Sequence, residues 1–127
     1  MTEQITVGMV FERQKTAEPH ESAAAVGSGG LEVFSTPSLV ALFEGAALQG
    51  LAPLLPQGFG TVGIDVHVKH TKATAIGKQV RCAATVTAVE GKKISFTGEM
   101  FDESGKIGEG THIRYVINND DFMKRLG

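Results

Sequence analysis

Glu44 is the residue whose sequence surroundings are hardest to explain without a function. It follows an apolar run, residues 39–43, in a stretch with almost no other polar side chain. A buried carboxylate costs several kcal/mol unless it is hydrogen-bonded or takes up a proton through a raised pKa. Carboxylates with perturbed pKa values concentrate at functional sites, although structural ion pairs also perturb the pKa. Two interpretations stay open: a carboxylate that takes part in chemistry, or a helix-edge glutamate that reaches water or pairs with a sheet cation.

Thr36 precedes Pro37 at the start of the same stretch. A hydroxyl N-cap followed by proline at the first helical position predicts a helix start, and capping alone explains the threonine. A helix N-terminus also presents free backbone N–H groups that suit a developing oxyanion. Thr36 and Glu44 are eight residues apart, roughly 12 Å along a helix axis. They can lie on one face, but a third group is needed between them.

His70 is the candidate for that third group. It keeps the register of the apolar side chains in its strand, so we expect it to face the helix. His67 has the opposite register and is expected to face solvent. A core-facing histidine is a hydrogen-bonded structural residue or a base, and the expected threonine and glutamate opposite it favour the base. The apolar positions that set the register are Ile64, Val66 and Val68.

Two further residues with possible roles lie on the last predicted strand. His112 and Arg114 share a register there. The arginine could hold a carboxylate or a phosphate.

The pattern around these residues predicts an α+β protein with one long helix. The stretch from residue 36 to about 52 is apolar nearly all round, which is typical of a buried helix. Residues 21–30 are small and glycine-rich, which predicts a mobile loop at the site entrance or at most one helical turn. Residues 1–127 are expected to form a single domain, in which an antiparallel β-sheet wraps around one long central α-helix, the hotdog fold. The predicted strands cover residues 7–16, 61–74, 79–89, 93–102 and 106–117, and a helical turn is expected after residue 118.

Composition excludes several classes of function. The 127 residues carry 12 basic and 14 acidic side chains, a formal charge of −2, and the basic residues are scattered. A phosphate-backbone binder is therefore not expected. The lone Cys82 cannot form an internal disulfide, and there is no zinc ligand set. No signal peptide or spanning segment is expected, so the predicted location is the cytoplasm and no membrane partner is predicted.

From about Val7 to Ile117 the chain resembles the fluoroacetyl-CoA thioesterase-like branch of the hotdog superfamily. The similar segments are TPSLVALFEGAALQGLAPLLPQG, GTVGIDVHVKHTKAT and IGEGTHIRYVI. The resemblance implies thioester hydrolysis by a homodimer, with the acyl-CoA site at the subunit interface and no metal or organic cofactor. It also implies a catalytic triad of Thr36, Glu44 and His70.

The resemblance assigns substrate contacts as well. Gly63 matches a glycine that binds the thioester carbonyl through its backbone, and Arg114 matches an arginine of the acyl site. The segment before the helix departs from the family, whose fluoroacetyl-specific member has an aromatic gate there. Here Phe34 is the only aromatic of that segment, and Gly29 and Gly30 stand about where the gate is expected. The resemblance therefore supports the reaction class, with Phe34 as an acyl contact, but not the fluoroacetyl specificity.

Two other classes of function stay open. A non-catalytic hotdog protein could bind acyl-CoA or another small ligand in the same pocket, although the presence of all three triad residue types favours an enzyme. A purely structural dimer module would not explain why a glutamate, Glu44, stands in an apolar helix.

Overall fold

The computed structural model describes all residues, 1–127, and shows one long helix against a five-stranded sheet. The strands are β1 (Val10–Thr16), β2 (Phe59–His70), β3 (Gln79–Glu90), β4 (Lys93–Asp102) and β5 (Gly105–Asn118). The helices are α1 (Ala23–Val26), α2 (Thr36–Leu51) and α3 (Asn119–Arg125), with short 3-10 turns at Pro19–Glu21 and Ala52–Leu54.

The sheet is antiparallel throughout, in the order β1-β3-β4-β5-β2. The predicted architecture is therefore confirmed, including the helix at residues 36–51 and the closing helical turn. Because β2 is an edge strand, only one of its sides pairs within the chain. The candidate site residues lie on α2, β2 and β5; α2 packs on β2, and β2 pairs with β5.

The core lies between α2 and the inner face of the sheet. The helix approaches the sheet closely because Gly98 has no side chain; a Cβ there would lie 2.6 Å from the Phe43 ring. One strip of α2 stays uncovered, and it is apolar: Pro37 and Ala41 are exposed, and Leu48 is 43% exposed. The large side chains buried in the core include Leu39, Leu42, Phe43, Val86, Ile94, Phe96 and Met100.

The predicted register of β2 is right for residues 65–70 and wrong for Ile64. A bulge between Gly63 and Asp65 places Ile64 outside the ladder, and its side chain is 56% exposed. Beyond the bulge Val66 pairs with the buried His112, and His70 pairs with Gly108. The even-numbered residues after the bulge therefore face the helix as expected, and the odd-numbered residues, His67 among them, face outward.

Two segments near the N-terminus differ in detail from the sequence prediction. The first strand begins at Val10 rather than at residue 7, because Gly8 has φ 96° and turns the chain. The glycine-rich segment contains the single helical turn α1. Ser22 caps it by accepting a hydrogen bond from the Ala25 N–H, and Gly27 ends it with φ 79°.

None of the helices combines the length and the apolar character that crossing a bilayer requires.

Candidate active site

Thr36 and His70 form a direct hydrogen bond across the gap between α2 and β2. The Thr36 hydroxyl lies 2.8 Å from His70 Nδ1. The chain next to each residue is held by a backbone hydrogen bond: Ser35 N–H donates to the Glu21 carbonyl, and Thr71 N–H donates to the Ile107 carbonyl. We call these two side chains the hydroxyl–imidazole pair. Its geometry is that of a nucleophile beside its base.

Ser35, not Thr36, caps helix α2, which corrects the sequence prediction. Ser35 has the extended backbone of an N-cap, and its hydroxyl accepts a hydrogen bond from the Ser38 N–H. Thr36 is the first helical residue. Its side chain is therefore not engaged in capping and is free to contact His70.

Replacing Ser35 by alanine is expected to lower the free energy of unfolding by about 1 kcal/mol, because the helix loses its cap. Thr36→Ala should lower the free energy of unfolding by no more than Ser35→Ala does, because the exposed Thr36 hydroxyl caps nothing and loses only its hydrogen bond to His70. Urea unfolding of the two variants measures the difference. A larger loss of stability in Thr36→Ala than in Ser35→Ala would contradict the assignment of the cap.

The imidazole of His70 is set up to accept a proton. Burial lowers the pKa of His70 below its ordinary value of 6.5, so the ring is neutral at neutral pH. If Nδ1 accepts the Thr36 hydroxyl proton, the ring proton sits on Nε2. That nitrogen is buried and has no hydrogen-bond partner within the chain. A backbone contact with Lys72 acts against the lowering of the His70 pKa, but burial outweighs it.

A cleft of about 300 Å³ opens beside the hydroxyl–imidazole pair. It is lined by Ala23 and Ser28 of the glycine-rich segment and by residues 33–36 and 70–73. The segment predicted to form the site entrance therefore does border the site. Phe34 lines the cleft but is only 1% exposed, so it packs in the core and does not stand as a gate.

Glu44 lies two turns along α2 from Thr36 and does not contact His70. It is half-buried and makes no hydrogen bond or salt bridge within the chain. Its carboxylate borders the space that a side chain at Gly63 would fill. A Cβ on Gly63 would lie 2.9 Å from Glu44 Oε2, 3.0 Å from His112 Cε1 and 3.2 Å from Arg114 Nη1. We call this space the glycine gap.

Arg114 is fixed on the far side of the glycine gap. Its Nε donates to the Thr61 hydroxyl at 2.8 Å, and its Nη2 donates to the Thr61 carbonyl at 3.0 Å. Burial lowers the pKa of Arg114 and the Glu44 carboxylate opposes that shift, but the guanidinium stays protonated at neutral pH. The chain therefore brings together Glu44, Gly63 and Arg114 at one place, and Thr36 with His70 at another.

A second, larger hollow lies on the outer face of the sheet. It measures about 440 Å³ and is lined by no hydrophobic side chain. Its one lysine from β5, Lys106, is already held by Glu99 at 3.1 Å and Glu109 at 2.6 Å. The hollow contains no hydroxyl bonded to an imidazole, so it lacks the nucleophile-and-base arrangement that the smaller cleft has.

The fold and the hydroxyl–imidazole pair define the class of this protein as a hotdog-fold thioesterase. Residues 18–120 match the family described as the fluoroacetyl-CoA-specific thioesterase FlK, and the chain belongs to that family. The fluoroacetyl-CoA thioesterase of Streptantibioticus cattleyicolor is 40% identical over 95 residues, which are 75% of this chain and 68% of that protein. The chain is a thioester hydrolase.

Solved structures agree with this class. A mutant of the fluoroacetyl-CoA thioesterase FlK in complex with acetyl-CoA superimposes with a TM-score of 0.92 and 31% identity, covering 96% of each chain. A hypothetical protein of Thermus thermophilus, a thioesterase superfamily member, gives a TM-score of 0.88. At 22% identity, over 98% of this chain and 94% of the other, it shares the fold.

Proposed function

We propose that this protein hydrolyses small acyl-CoA thioesters to the free acid and coenzyme A. The observation that carries the proposal is the 2.8 Å hydrogen bond between the Thr36 hydroxyl and His70 Nδ1. A non-catalytic acyl-CoA binder would have no need of a nucleophile beside a neutral base. The reaction uses only the thioester and water, with no cofactor assigned, and we place it in the cytoplasm.

In the proposed mechanism Thr36 is the nucleophile. His70 Nε2 is covered and Nδ1 is bonded to Thr36, so water could reach the base only by displacing that hydroxyl. His70 takes the Thr36 proton while the oxygen attacks the carbonyl carbon. The C–S bond then breaks, and the imidazolium returns the proton to the thiolate. Water hydrolyses the resulting ester with His70 again as base, which restores the Thr36 hydroxyl.

The rest of the site comes from a second copy of the chain. The uncovered edge of β2 carries Ile64 and Val66, which are 56% and 39% exposed, beside the apolar strip of α2 that contains Leu48. A long exposed edge strand is a template for pairing with another strand. A homodimer that joins the two β2 edges would cover all of this surface.

Two-fold pairing would also join the two halves of the site. In an antiparallel, two-fold pair of identical strands, residues equally distant from the axis lie opposite each other. The exposed stretch of β2 runs from Gly63 to Lys69 and is centred on Val66. An axis there puts Gly63 of one copy within about one residue of His70 of the other. Glu44 and Arg114 accompany Gly63, so they would approach the other copy's hydroxyl–imidazole pair.

Each of these groups has a role in the completed site. The Glu44 carboxylate stabilises the positive charge that develops on His70 of the other copy. The Gly63 backbone N–H polarises the thioester carbonyl, and the Arg114 guanidinium faces the acyl group. Preorganised donors and charges of this kind act where charge develops in the transition state.

The acyl group is proposed to be small but not restricted to fluoroacetyl. The cleft beside Thr36 measures about 300 Å³ and has Phe34 in its wall. The exposed Gly29 and Gly30 stand before α2 and offer no aromatic gate. Fluoroacetyl-CoA, the substrate of the related enzymes, is therefore expected to be one of several short acyl-CoAs that this chain hydrolyses.

A panel of acyl-CoAs tests the proposal. Acetyl-, fluoroacetyl-, propionyl-, isobutyryl- and phenylacetyl-CoA are each incubated with the enzyme, and released thiol is followed with a chromogenic reagent. We expect short chains to give the highest kcat/KM and fluoroacetyl-CoA to have no exclusive advantage. Binding of these thioesters without any release of thiol would replace the proposal with a binding function.

A further inference from the structure

His112 is buried at the centre of the molecule, away from Thr36 and His70. It is 1% exposed. Its ring stacks on Phe96 with centroids 6.2 Å apart and meets the edge of Phe43 at 5.5 Å. An ionisable ring in such a place needs a reason, because a leucine or phenylalanine would fill the same volume without polar atoms to satisfy.

The two ring nitrogens of His112 have different partners, and these partners fix the tautomer. Nδ1 lies 2.7 Å from the Asp65 carbonyl oxygen, which can only accept, so Nδ1 carries the proton. Nε2 lies 3.1 Å from Arg114 Nη1, and a guanidinium can only donate, so Nε2 is bare. His112 is therefore neutral. Burial is the main cause that lowers the pKa of His112, and the Arg114 charge adds to it. The Asp65 carbonyl and the Glu44 and Asp65 carboxylates oppose the shift.

This contact completes the set of bonds that orient Arg114. Three of the five guanidinium N–H donors are used, two on Thr61 and one on His112, which leaves two. Nη1, the atom that His112 holds, also borders the glycine gap, 3.2 Å from where a Gly63 Cβ would be. Without the bond to His112, both contacts of the guanidinium would be to Thr61, and Nη1, the nitrogen that faces the gap, would have no partner of its own.

We infer that His112 is a positioning residue of the acyl site, whose bare Nε2 holds the Arg114 guanidinium in the orientation that faces the substrate. The inference rests on the proposed function, in which the glycine gap receives the acyl end of the thioester. It adds a requirement that the triad does not contain: the second imidazole must stay neutral, because a protonated Nε2 would point an N–H at a cation.

Two substitutions test the inference, because each keeps only one of the two hydrogen bonds of the imidazole. In His112→Gln the amide oxygen can reach the Nε2 position and accept from Arg114. In His112→Asn the shorter amide can donate to the Asp65 carbonyl but cannot reach Arg114. A small misplacement of a substrate contact can lower the rate on the order of 10²-fold. We therefore expect kcat/KM of His112→Asn to fall by about that factor. His112→Gln should recover most of it.

Kinetic constants are measured for the best acyl-CoA of the panel and are corrected for the folded fraction obtained from urea unfolding. A merely structural His112 predicts equal corrected rates for the two variants, and that result would overturn the inference. So would a His112→Asn enzyme with wild-type kcat/KM.

NMR separates this inference from the proposed function, because it needs no turnover. Nitrogen-15 spectra of the wild-type protein at pH 7 should show the His112 ring protonated at Nδ1 and bare at Nε2. The Arg114 Nη1–H that His112 accepts should exchange slowly in the wild type and in His112→Gln, and rapidly in His112→Asn. A protonated Nε2, or unchanged exchange in His112→Asn, contradicts the inference even if the enzyme hydrolyses thioesters. If no acyl-CoA is hydrolysed, the proposed function fails, and the tautomer and exchange rates still decide whether His112 holds Arg114.

Discussion

Replacing His70 by alanine is expected to lower kcat/KM for the best acyl-CoA by about 10²- to 10⁴-fold, the usual worth of general base catalysis. His70 is the imidazole in contact with the Thr36 hydroxyl, at 2.8 Å, and no other base is placed to take that proton. His67→Ala is the matched control. It lies on the same strand but faces outward into solvent, so its rate should stay at the wild-type value.

The pH dependence of the wild-type rate belongs to the same prediction. Burial lowers the pKa of His70 within its own chain, whereas the Glu44 carboxylate of the other copy, in the proposed dimer, stabilises the protonated ring. In either case kcat/KM should fall on acidification, as the imidazole becomes protonated. Wild-type turnover in His70→Ala, or a rate that does not fall on acidification, would contradict the role of His70 as base.

Acid should also reduce stability for the same physical reason. The pKa values of His70 and His112 are both lowered in the folded chain, so the unfolded chain binds more protons as the pH falls below 6.5. Their contribution to the free energy of unfolding is thus greatest above pH 6.5 and declines below it. Unfolding must therefore be measured at each pH at which rates are compared.

Glu44→Gln is expected to lower kcat/KM on the order of 10²-fold, although the side chain keeps its shape. The carboxylate is half-buried and has no hydrogen bond or salt bridge within its own chain, so it is available to a neighbouring charge. In the proposed dimer that charge is the imidazolium of the other copy. Removing the negative charge should reduce kcat more than it raises KM.

Glu109→Gln is the control for a change of charge alone. Glu109 is exposed on the outer face, where it pairs with Lys106, and surface pairs contribute little to stability. The Glu109→Gln variant should hydrolyse acyl-CoA at the wild-type rate.

The double variant His70→Ala/Glu44→Gln should have a kcat/KM lowered by far less than the product of the two single reductions, because groups that act as one unit are non-additive. Additive losses would separate Glu44 from the chemistry.

The sequence predicted the fold well because its signals are local. The helix from Thr36 to Leu51 is marked by a hydroxyl, a proline and a long apolar run, and each strand by alternation between turns. The orientation of His70 followed from the same alternation, counted from Ile64, Val66 and Val68, although the bulge removes Ile64 from that register. Such periodicities depend on neighbours in the chain, so one sequence suffices to show them.

The errors and omissions all concern contacts between distant segments or choices between similar residues. Ser35 and Thr36 are both hydroxyls before Pro37, and only the backbone conformation decides which one caps the helix. The bulge at Ile64 depends on how β2 pairs with β5. The bonds of His112 to Asp65 and Arg114 depend on the same pairing, although the shared register of the two β5 residues was a signal that they belong together.

Mixing inactive subunits is the most direct test of the central claim, that Thr36 and His70 of one chain work with Glu44 of another. His70→Ala and Glu44→Gln chains are unfolded together, refolded and assayed. With random pairing half of the dimers are mixed and each has one intact site of two, so about a quarter of the wild-type activity should return. A mixture of His70→Ala with Thr36→Ala should stay inactive, because both substitutions lie in the half of the site that one chain contributes. No recovery in the first mixture, or equal recovery in both, would contradict a site shared between two chains.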